Sequence, residues 1–451
     1  MELEIKDVGV IKSANIDLSK SLCLFCGQNG TGKTYLSYII YALTKKLFYR
    51  DKIFGAPLGL IEKNKVALTL NIDKIIEMIA YSIDAAKRNF DSIFGISEEQ
   101  VEFLFKNSDI NLKFQREELE QRIYKMSVSE EFEVHTMIIS LRKEADTFEV
   151  EIQVKKNDIL NSAEVIEMFI ISEVYRFFAF YPLNGCYILP VERNSIYTFS
   201  RELSISRNIL VEQLQKGNDF DPFELIGSRT NRYPVAISDG ILVANDLSNL
   251  QKRKSQFVSL AEEIENSLLN GKLSITDKGD IVFASNKSKT RKLPIHMTAS
   301  IIKTLSSLVF YLKHLAQKGD LIVIDEPEMN MHPDNQILLT RLFAKLMRNG
   351  FRLLISTHSD YIIREFNNLI MLHSISEEQC DDIEKLGYRL EEKINPNDVA
   401  CYSFRFKKAN SRQIEVEKLN IDKSGVAIPT IDKTVEEQNM CAEELSYLIE
   451  Y

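Results

Sequence analysis

Alternating apolar and polar residues predict short strands at the start of the chain. Leu3, Ile5 and Val8 alternate with more polar neighbours, residues 11–16 repeat the alternation, and residues 22–25 form an apolar run. Successive side chains of a strand point to opposite faces of a sheet, so a period of two is typical of strands. Three strands are therefore predicted ahead of residue 27.

The middle of the chain mixes helical and strand periods. Helices are predicted at 33–49, about 66–126, about 163–180 and over most of 197–270, while strand patterns occupy 132–154 and 185–190. The 66–126 prediction rests on apolar residues that recur at mixed spacings of three and four, the period of one helix face. A hairpin is predicted where residues 273–275 and 281–284 flank Lys278 and Gly279.

The last third of the chain alternates between helices and apolar strands. A helix at 301–317, a strand at 321–325, a helix at 334–348 and a strand at 351–357 follow one another. This order is typical of a parallel sheet with crossover helices. Short strands around 400–406 and a final amphipathic helix from about 435 are predicted beyond it.

Composition and charge narrow the class of protein. With 451 residues, 45% of them hydrophobic, the chain is expected to form two lobes around a large core. No apolar run reaches the about 18 residues of a membrane span, and the N-terminus does not resemble a signal peptide, so a cytoplasmic protein without a membrane partner is expected. The net charge of −9 argues against a surface that is basic overall and binds nucleic acid. The basic clusters at 252–254 and 287–292 are interpreted as solvated surface.

The six cysteines do not form the framework of a small disulfide-rich domain. Cys23 and Cys26 form a C-x-x-C pattern, which is also found at redox and metal sites. They lie inside a predicted strand without a second pair nearby, so we interpret them as reduced residues of the core.

A glycine-rich segment between the third strand and the next helix carries the first candidate chemistry. Gly27-Gln28-Asn29-Gly30-Thr31-Gly32-Lys33-Thr34 matches the phosphate-loop pattern G-x-x-x-x-G-K-[ST]. Glycines at 27, 30 and 32 permit close approach of backbone N–H groups to phosphates at the positive end of a helix. Lys33 is expected to reach the β- and γ-phosphates and Thr34 to ligate Mg²⁺, while Asn29 and Thr31 lie within the loop.

Two adjacent carboxylates follow the apolar strand at 321–325. Asp325 is expected to hold Mg²⁺, and Glu326 to orient and polarise the attacking water as a general base. Two acids at the end of a buried strand are costly unless a cation or a water network stabilises them. The segment 353–358 repeats the pattern of an apolar strand with a polar tip and ends in His358.

The segment 324–333, Ile-Asp-Glu-Pro-Glu-Met-Asn-Met-His-Pro, resembles the D-E-P-E-x-x-L-H-P block of ABC-type ATPases related to SMC, RecF and the OLD proteins. The resemblance covers roughly residues 1–50 and 290–370. It implies an α/β fold: an ABC-type P-loop ATPase with a mixed central sheet, an N-terminal antiparallel β layer and a helical insertion. It also implies that His358 is the switch histidine, which contacts the γ-phosphate or the attacking water beside Glu326 and Lys33.

The same resemblance implies a signature segment ahead of the helix that precedes the aspartate strand. Met297–Lys303 occupies that place but lacks the glycine pair, so Thr298 would replace the signature serine and Ser300 would face a phosphate. The alternative is that Thr298 or Ser300 caps the helix. Arg193 lies in a region resembling the P-x-R tip of OLD-type proteins, but charged loop residues are usually only solvated, so we interpret it as a solvated loop residue. The missing glycines imply slow hydrolysis.

Among these ATPases, the sequence resembles the stand-alone OLD-like subunits of bacterial anti-phage systems such as PARIS and Septu. That resemblance implies ATP and Mg²⁺ as cofactors, a homodimer or higher homo-oligomer through the nucleotide site, and a separate effector such as a nuclease. Two alternatives stay open: a RecF-like DNA-repair ATPase that binds DNA directly, and a scaffold stabilised by ATP without hydrolysis. Nuclease activity in this chain is not expected.

The domain boundaries follow from these motifs. We predict an N-terminal ATPase lobe at 1–60, a helical insertion at 61–130, return strands at 131–190, a helical middle segment at 191–272, a C-terminal ATPase lobe at 273–375 and an extension at 376–451. The insertion shows no sustained heptads, so a compact helical unit rather than a long coiled coil is expected.

Overall fold

The structure is a computed structural model that describes residues 1–45, 57–134, 137–155, 163–183, 185–199, 233–276, 279–288, 291–407 and 413–449. Its strands are β1 Glu2–Val8, β2 Ile11–Asp17, β3 Leu22–Gly27, β4 Lys65–Thr69, β5 Asp109–Lys113, β6 Val128–Val134, β7 Met137–Lys143, β8 Glu149–Lys155, β9 Cys186–Leu189, β10 Gly271–Ile275, β11 Ile281–Ser285, β12 Lys292–Pro294, β13 Leu321–Asp325, β14 Arg352–Thr357, β15 Val399–Phe406 and β16 Ile414–Leu419.

The α-helices alternate with these strands along the chain. They are α1 Lys33–Thr44, α2 Leu60–Lys63, α3 Ile72–Arg88, α4 Phe90–Phe94, α5 Glu98–Phe105, α6 Arg116–Lys125, α7 Ala163–Phe180, α8 Val235–Leu250, α9 Val258–Ser267, α10 Ser300–His314, α11 Pro333–Arg348, α12 Asp360–Met371, α13 Cys380–Lys385 and α14 Pro429–Ile449. Residues 193–199 are also helical. No helix among the described residues is long and apolar enough to span a membrane.

A nine-stranded mixed sheet with the order β5-β1-β2-β16-β15-β3-β14-β13-β9 forms the centre of the molecule. In one half, β9, β13, β14, β3 and β15 run parallel to one another, and the register places Asp325 beside Ser356 and Ser356 beside Phe25. The predicted strands at 321–325 and 351–357 and the intervening helix are confirmed. The predicted α/β fold with a mixed central sheet is confirmed as well.

The other half of the sheet is largely antiparallel. Strand β1 pairs antiparallel with β2 and β5, and β16 pairs antiparallel with β15 while running parallel to β2. The three strands predicted ahead of residue 27 are confirmed as β1, β2 and β3. The N-terminal antiparallel strands therefore continue the central sheet.

Strand alternation separates two hydrophobic cores, one on each face of the sheet. In β3, Cys23 and Phe25 face a core with α1, α3 and α7, whereas Leu22, Leu24 and Cys26 face a core with α10, α11 and α12. Each central strand is apolar on both faces because helices cover both faces of its parallel half. The carboxyl ends of these strands reach the edge of both cores, where the polar tips begin.

The region predicted as helical from 66 to 126 also contains two strands, so this prediction was wrong in part. Strand β4 belongs to a second, four-stranded sheet with the order β4-β8-β7-β6, and β5 forms the edge of the central sheet beside β1. Both segments have alternating burial, but they become strands because β8 and β1 supply their hydrogen-bonding partners. Such partners come from elsewhere in the chain, so local spacing does not reveal them.

The remaining predictions agree with the structure apart from their ends. The helix at 163–180 is α7, the hairpin at 273–284 is formed by β10 and β11, and the helix predicted at 301–317 is α10. The predicted final helix begins six residues earlier, at Pro429. Residues 46–49 of the first predicted helix and 200–232 of the middle segment lie outside the described residues.

Candidate functional site

The phosphate-loop segment connects β3 to α1 at the carboxyl edge of the central sheet. Gly27 lies against the Phe404 carbonyl oxygen so closely that any Cβ there would collide with it. Gly32 has a φ of 85° and stands at the start of α1, where no side chain caps the helix. The first N–H groups of a helix have no intrahelical partners, so α1 offers donors and a positive dipole end to an anion.

Lys33 is buried beside the loop and is 6% exposed. Its Nζ donates to the Gly27 and Gln28 carbonyl oxygens at 2.9 and 2.8 Å, so its side chain folds back over the loop. Burial lowers the pKa of Lys33, while the carboxylates of Glu326 and Asp325 oppose that shift. A phosphate in the loop would exchange these carbonyl contacts for anionic oxygens, which are stronger partners of an ammonium group.

Thr34 and Asp325 are joined although they are 291 residues apart. The Thr34 hydroxyl donates to Asp325 Oδ2 at 2.7 Å, and the Ser356 hydroxyl, from the neighbouring strand, donates to Asp325 Oδ1. Hydroxyl and carboxylate oxygens are the donors that Mg²⁺ prefers, and this ion commonly takes one or two protein ligands together with phosphates and water. No group of three or more His, Cys, Asp or Glu side chains suited to a metal occurs among the described residues.

Glu326 reaches the same cleft from the end of β13. An open cleft of about 240 Å³ is lined by Val10, residues 29–35 and Glu326. The Glu326 backbone has a φ of 47°, and its N–H donates to the Ser356 carbonyl oxygen at 3.0 Å. Burial raises the pKa of Glu326, and the carboxylates of Asp325 and Glu328 add to this shift while His358 opposes it. A raised pKa suits a carboxylate that takes a proton from water.

His358 stands at the tip of β14 between two glutamates. Its Nδ1 lies 3.2 Å from Glu328 Oε1 and 3.7 Å from Glu326 Oε1. Glu328 Oε1 also accepts from the Thr357 hydroxyl and the His358 N–H, both at 2.8 Å. Glu328 is therefore placed to hold a proton on Nδ1 of His358, which leaves Nε2 available to a ligand.

Arg193 lies beneath the acidic turn and is 3% exposed. Its Nη1 donates to the Asp325 carbonyl oxygen at 2.6 Å, and its Nη2 donates to the Glu326 carbonyl oxygen at 2.7 Å. Burial lowers the pKa of Arg193 to about 10, so the group stays charged near neutral pH. The interpretation as a solvated loop residue was wrong.

Thr298 and Ser300 do not line this cleft in the described part of the chain. The Thr298 hydroxyl donates to the Ile295 carbonyl oxygen at 2.6 Å, and Ser300 is the first residue of α10. Ala299 occupies the N-cap position without a side-chain hydrogen bond, so the alternative that Thr298 or Ser300 caps the helix was wrong. The structure thus brings together the phosphate loop, Asp325, Glu326 and His358. It places Thr298 and Ser300 away from them.

The buried thiols of β3 take no part in the site. Cys23 and Cys26 are buried and unbridged, and burial raises the pKa of Cys23 to about 12. A thiol of this kind stays protonated, which disfavours metal binding and nucleophilic chemistry. The interpretation as core cysteines is confirmed.

Sequence reasoning missed the roles of Glu328 and Ser356 in this site. Both were contained in recognised segments, since Glu328 is the second glutamate of the D-E-P-E block and Ser356 precedes the polar tip of β14. Glu328 is 8% exposed, and its Oε2 has no hydrogen-bond partner among the described residues. A buried, partly unsatisfied carboxylate is typical of a functional site.

The phosphate loop, the acidic strand end and their shared cleft define a nucleotide-binding P-loop protein of the ATPase class. The chain belongs to the AAA ATPase domain family, whose profile matches residues 1–363. No curated protein matches the chain.

Solved structures of SMC heads are similar to this chain over nearly its whole length. The SMC head bound to the C-terminal winged-helix domain of ScpA has 12% identity and a TM-score of 0.36, covering 94% of this chain and 98% of that chain. The SMC head domain from Thermotoga maritima has 9% identity and a TM-score of 0.33, covering 93% and 98%. The Smc head domain with an extended coiled coil, bound to the C-terminal domain of ScpA and derived from Pyrococcus furiosus, has 12% identity and a TM-score of 0.35, covering 97% of this chain and 98% of that chain. These values assign neither an activity nor a partner to this chain.

Proposed function

We propose that this protein is an ABC-type ATPase that binds and hydrolyses ATP with Mg²⁺ and uses the nucleotide to control its own assembly. The observation that carries the proposal is the 2.7 Å contact between Thr34 of the phosphate loop and Asp325 of the acidic strand, beside a cleft that Glu326 also lines. This contact joins the phosphate-binding end of the site to its acidic end. Binding and hydrolysis need both ends in one place.

The proposed roles follow from the positions of the side chains. The loop N–H groups and Lys33 bind the phosphates, Thr34 and Asp325 hold Mg²⁺, and Glu326 takes the proton of the attacking water. The metal ion, when bound, neutralises charge that develops on the phosphate oxygens. His358, oriented by Glu328, donates to or accepts from the γ-phosphate side of the cleft.

The proposed assembly is a homodimer or higher homo-oligomer with ATP between two copies. Support comes from the N-terminus of α10, which lies outside the cleft of its own chain and has no side-chain cap. Thr298 and Ser300 at this end would face the phosphates of a second copy, where an uncapped helix end favours an anion. Nucleotide binding would then stabilise the assembled state by mass action.

The proposal extends to a separate effector, such as a nuclease, in an anti-phage system. This part rests on the resemblance of the D-E-P-E segment and the histidine tip to OLD-like ATPases, as given above. A phage challenge of cells that carry the gene with its neighbours tests it. Protection that is lost with Glu326→Gln supports the proposal, and equal plaque counts with and without the gene contradict it.

The central experiment compares two substitutions at opposite ends of the cleft. Lys33→Ala is expected to weaken ATP binding at least about 100-fold, because it removes the cation that meets the phosphates. Glu326→Gln is expected to keep ATP binding, to lower turnover about 1000-fold and to accumulate the assembled form, since only the base is lost. Titration with a fluorescent ATP analogue, phosphate release and light scattering measure the three quantities.

Matched controls come from residues outside the cleft. Lys20→Ala removes a partly exposed lysine that donates to the Asn397 carbonyl oxygen, and Glu4→Gln removes a partly exposed carboxylate in β1. Both should behave as the unmodified protein. Normal turnover in Glu326→Gln would rule out Glu326 as the base, and a constant mass with and without ATP would rule out the assembly.

A further inference from the structure

Arg193 is a buried cation whose partners are backbone oxygens of the acidic turn. Nη1 donates to the Asp325 and Pro190 carbonyl oxygens at 2.6 and 3.0 Å, and Nη2 donates to the Glu326 carbonyl oxygen at 2.7 Å. No carboxylate lies within ion-pair distance of its guanidinium among the described residues. The guanidinium therefore binds the main-chain oxygens of two successive residues, Asp325 and Glu326, and does not form an ordinary ion pair.

The turn that Arg193 binds has an unusual backbone. Glu326 has a φ of 47°, a left-handed conformation that side chains other than glycine rarely adopt. Such a conformation persists only where the surrounding structure holds it. The Glu326 N–H donates to the Ser356 carbonyl oxygen at 3.0 Å, and the Met329 N–H donates to the Glu326 carbonyl oxygen at 3.2 Å. Arg193 adds contacts to the Asp325 and Glu326 carbonyl oxygens, and both depend on this one side chain.

The buried charge of Arg193 also acts on the carboxylates above it. Asp325, Glu328, Glu326 and Glu192 all favour the charged form of this guanidinium, in that order of effect. The guanidinium therefore lies among acidic side chains, and it attracts the acidic turn by its charge as well as by its two hydrogen bonds.

We propose that Arg193 is a positioning residue that holds the Asp325–Glu326 turn in its left-handed shape and so places Glu326 for hydrolysis. The inference rests on the proposed function of Glu326 as the base. Arg193 does not touch the nucleotide cleft, so its effect passes through the turn. The planar guanidinium reaches two carbonyl oxygens at once, which the single ammonium of lysine does not reproduce.

Two substitutions separate the clamp from the charge. Arg193→Ala removes both, and it is expected to lower kcat about 100-fold, as a misplaced catalytic group does, while the KM for ATP changes less than about twofold. Arg193→Lys keeps the charge but not the planar fork that reaches two carbonyl oxygens, so kcat should stay low.

Arg352 supplies the matched control. It also donates to two backbone carbonyl oxygens, those of Ser19 and Lys20 at 2.6 and 2.9 Å, but at the opposite end of the parallel strands. Arg352→Ala should lower the melting temperature without lowering the kcat of the folded fraction. If Arg193→Ala shows the same pattern, or if kcat and KM change in proportion to lost stability, the positioning role is wrong.

Hydrogen exchange gives a readout that does not depend on turnover. Peptides covering residues 325–332 should exchange faster in Arg193→Ala than in the unmodified protein, and Arg352→Ala should leave them unchanged. Equal exchange in both variants contradicts the inference. If the turnover of the protein does not depend on Glu326, the proposed function is contradicted. In that case the hydrogen exchange of residues 325–332 still decides whether Arg193 holds the turn.

Discussion

The two halves of the central sheet differ in what their strand ends carry. In the parallel half, β3, β13 and β14 all end at one edge, and their tips supply the phosphate loop, Asp325 with Glu326, and His358. In the largely antiparallel half, neighbouring strand ends alternate between the two edges, and of its described residues only Val10, in the turn after β1, lines the cleft. Parallel strands gather three polar tips because their carboxyl ends coincide, which is the usual place for a ligand in such sheets.

The same difference governs how the charges are used. Surface ion pairs such as Lys113 with Glu4 lie on the antiparallel half and remain partly exposed. In the parallel half, Lys33, Arg193, Asp325 and Glu328 are all buried within the site. Exposed pairs contribute little, whereas buried charges are costly and persist where they serve a function. Substitutions should therefore have very different effects in the two halves.

The largest effect is expected for Asp325→Ala. The substitution removes the carboxylate that accepts from Thr34 and Ser356, so the metal and the phosphate loop lose their common partner. Turnover should fall about 1000-fold or more, a size typical of removing a group that stabilises the transition-state charge. A phosphate-release assay at saturating Mg²⁺ measures it. Glu4→Gln in β1 is the control. If Asp325→Ala keeps more than one tenth of the turnover of the unmodified protein, the expected difference between the two halves is contradicted.

Glu328→Gln should have the next largest effect. Glu328 contacts the N–H and Nδ1 of His358 and accepts from the neighbouring Thr357 hydroxyl, and an amide would hold the ring less firmly and leave its proton position undetermined. We expect turnover to fall about 10- to 100-fold, in the range of general acid–base contributions. The double variant with His358→Ala should be no worse than His358→Ala alone, because the two residues act as one unit. Additive losses of turnover in the double variant would show that Glu328 and His358 act independently.

A control for Glu328→Gln is Glu365→Gln. Glu365 is also buried, at 3% exposure, but it pairs with Arg341 between α11 and α12. Its loss should lower thermal stability and leave the turnover of the folded fraction unchanged. A drop in turnover comparable to that of Glu328→Gln would show that any buried glutamate in this core has the same effect.

The pH dependence of hydrolysis should show a moderate effect. Glu326 acts as a base only when ionised, so the rate should rise as pH passes through its pKa, which burial raises above the about 4.3 of a free glutamate. Glu328 adds to this rise, so Glu328→Gln should move the limb to lower pH even though the plateau is lower. A pH–rate series on both proteins measures the shift, and a limb at the position of a free glutamate would contradict it.

The smallest effect is expected where β15 contacts the antiparallel half. Tyr402 of β15 accepts from the N–H of Asp17 in β2 at 2.7 Å and stacks edge-on against Phe25. Tyr402→Phe keeps the ring and loses one hydrogen bond, so the free energy of unfolding should fall by about 1 kcal/mol. ATP affinity should not change. Denaturant unfolding and nucleotide titration test both, and a loss of affinity would mean that the two halves are coupled.

Part of the fold was predictable because its patterns are local. Strands β13 and β14 are unbroken apolar runs with polar tips, and α11 between them has clear start and stop residues. In contrast, β4 and β5 are short segments whose strand pairing depends on β8 and β1. Their residues satisfy a helical spacing equally well, so only the pairing decided between the two structures.

The sequence by itself determined the phosphate loop and the acidic strand end, because each is one contiguous segment whose residue types follow from its chemistry. Tertiary structure alone decided the roles of Arg193 and Glu328. Arg193 binds Asp325 across 132 residues of chain, and Glu328 binds Thr357 across 29. A buried guanidinium and a solvated one have the same sequence, and what distinguishes them is the set of atoms that packing places around the charge.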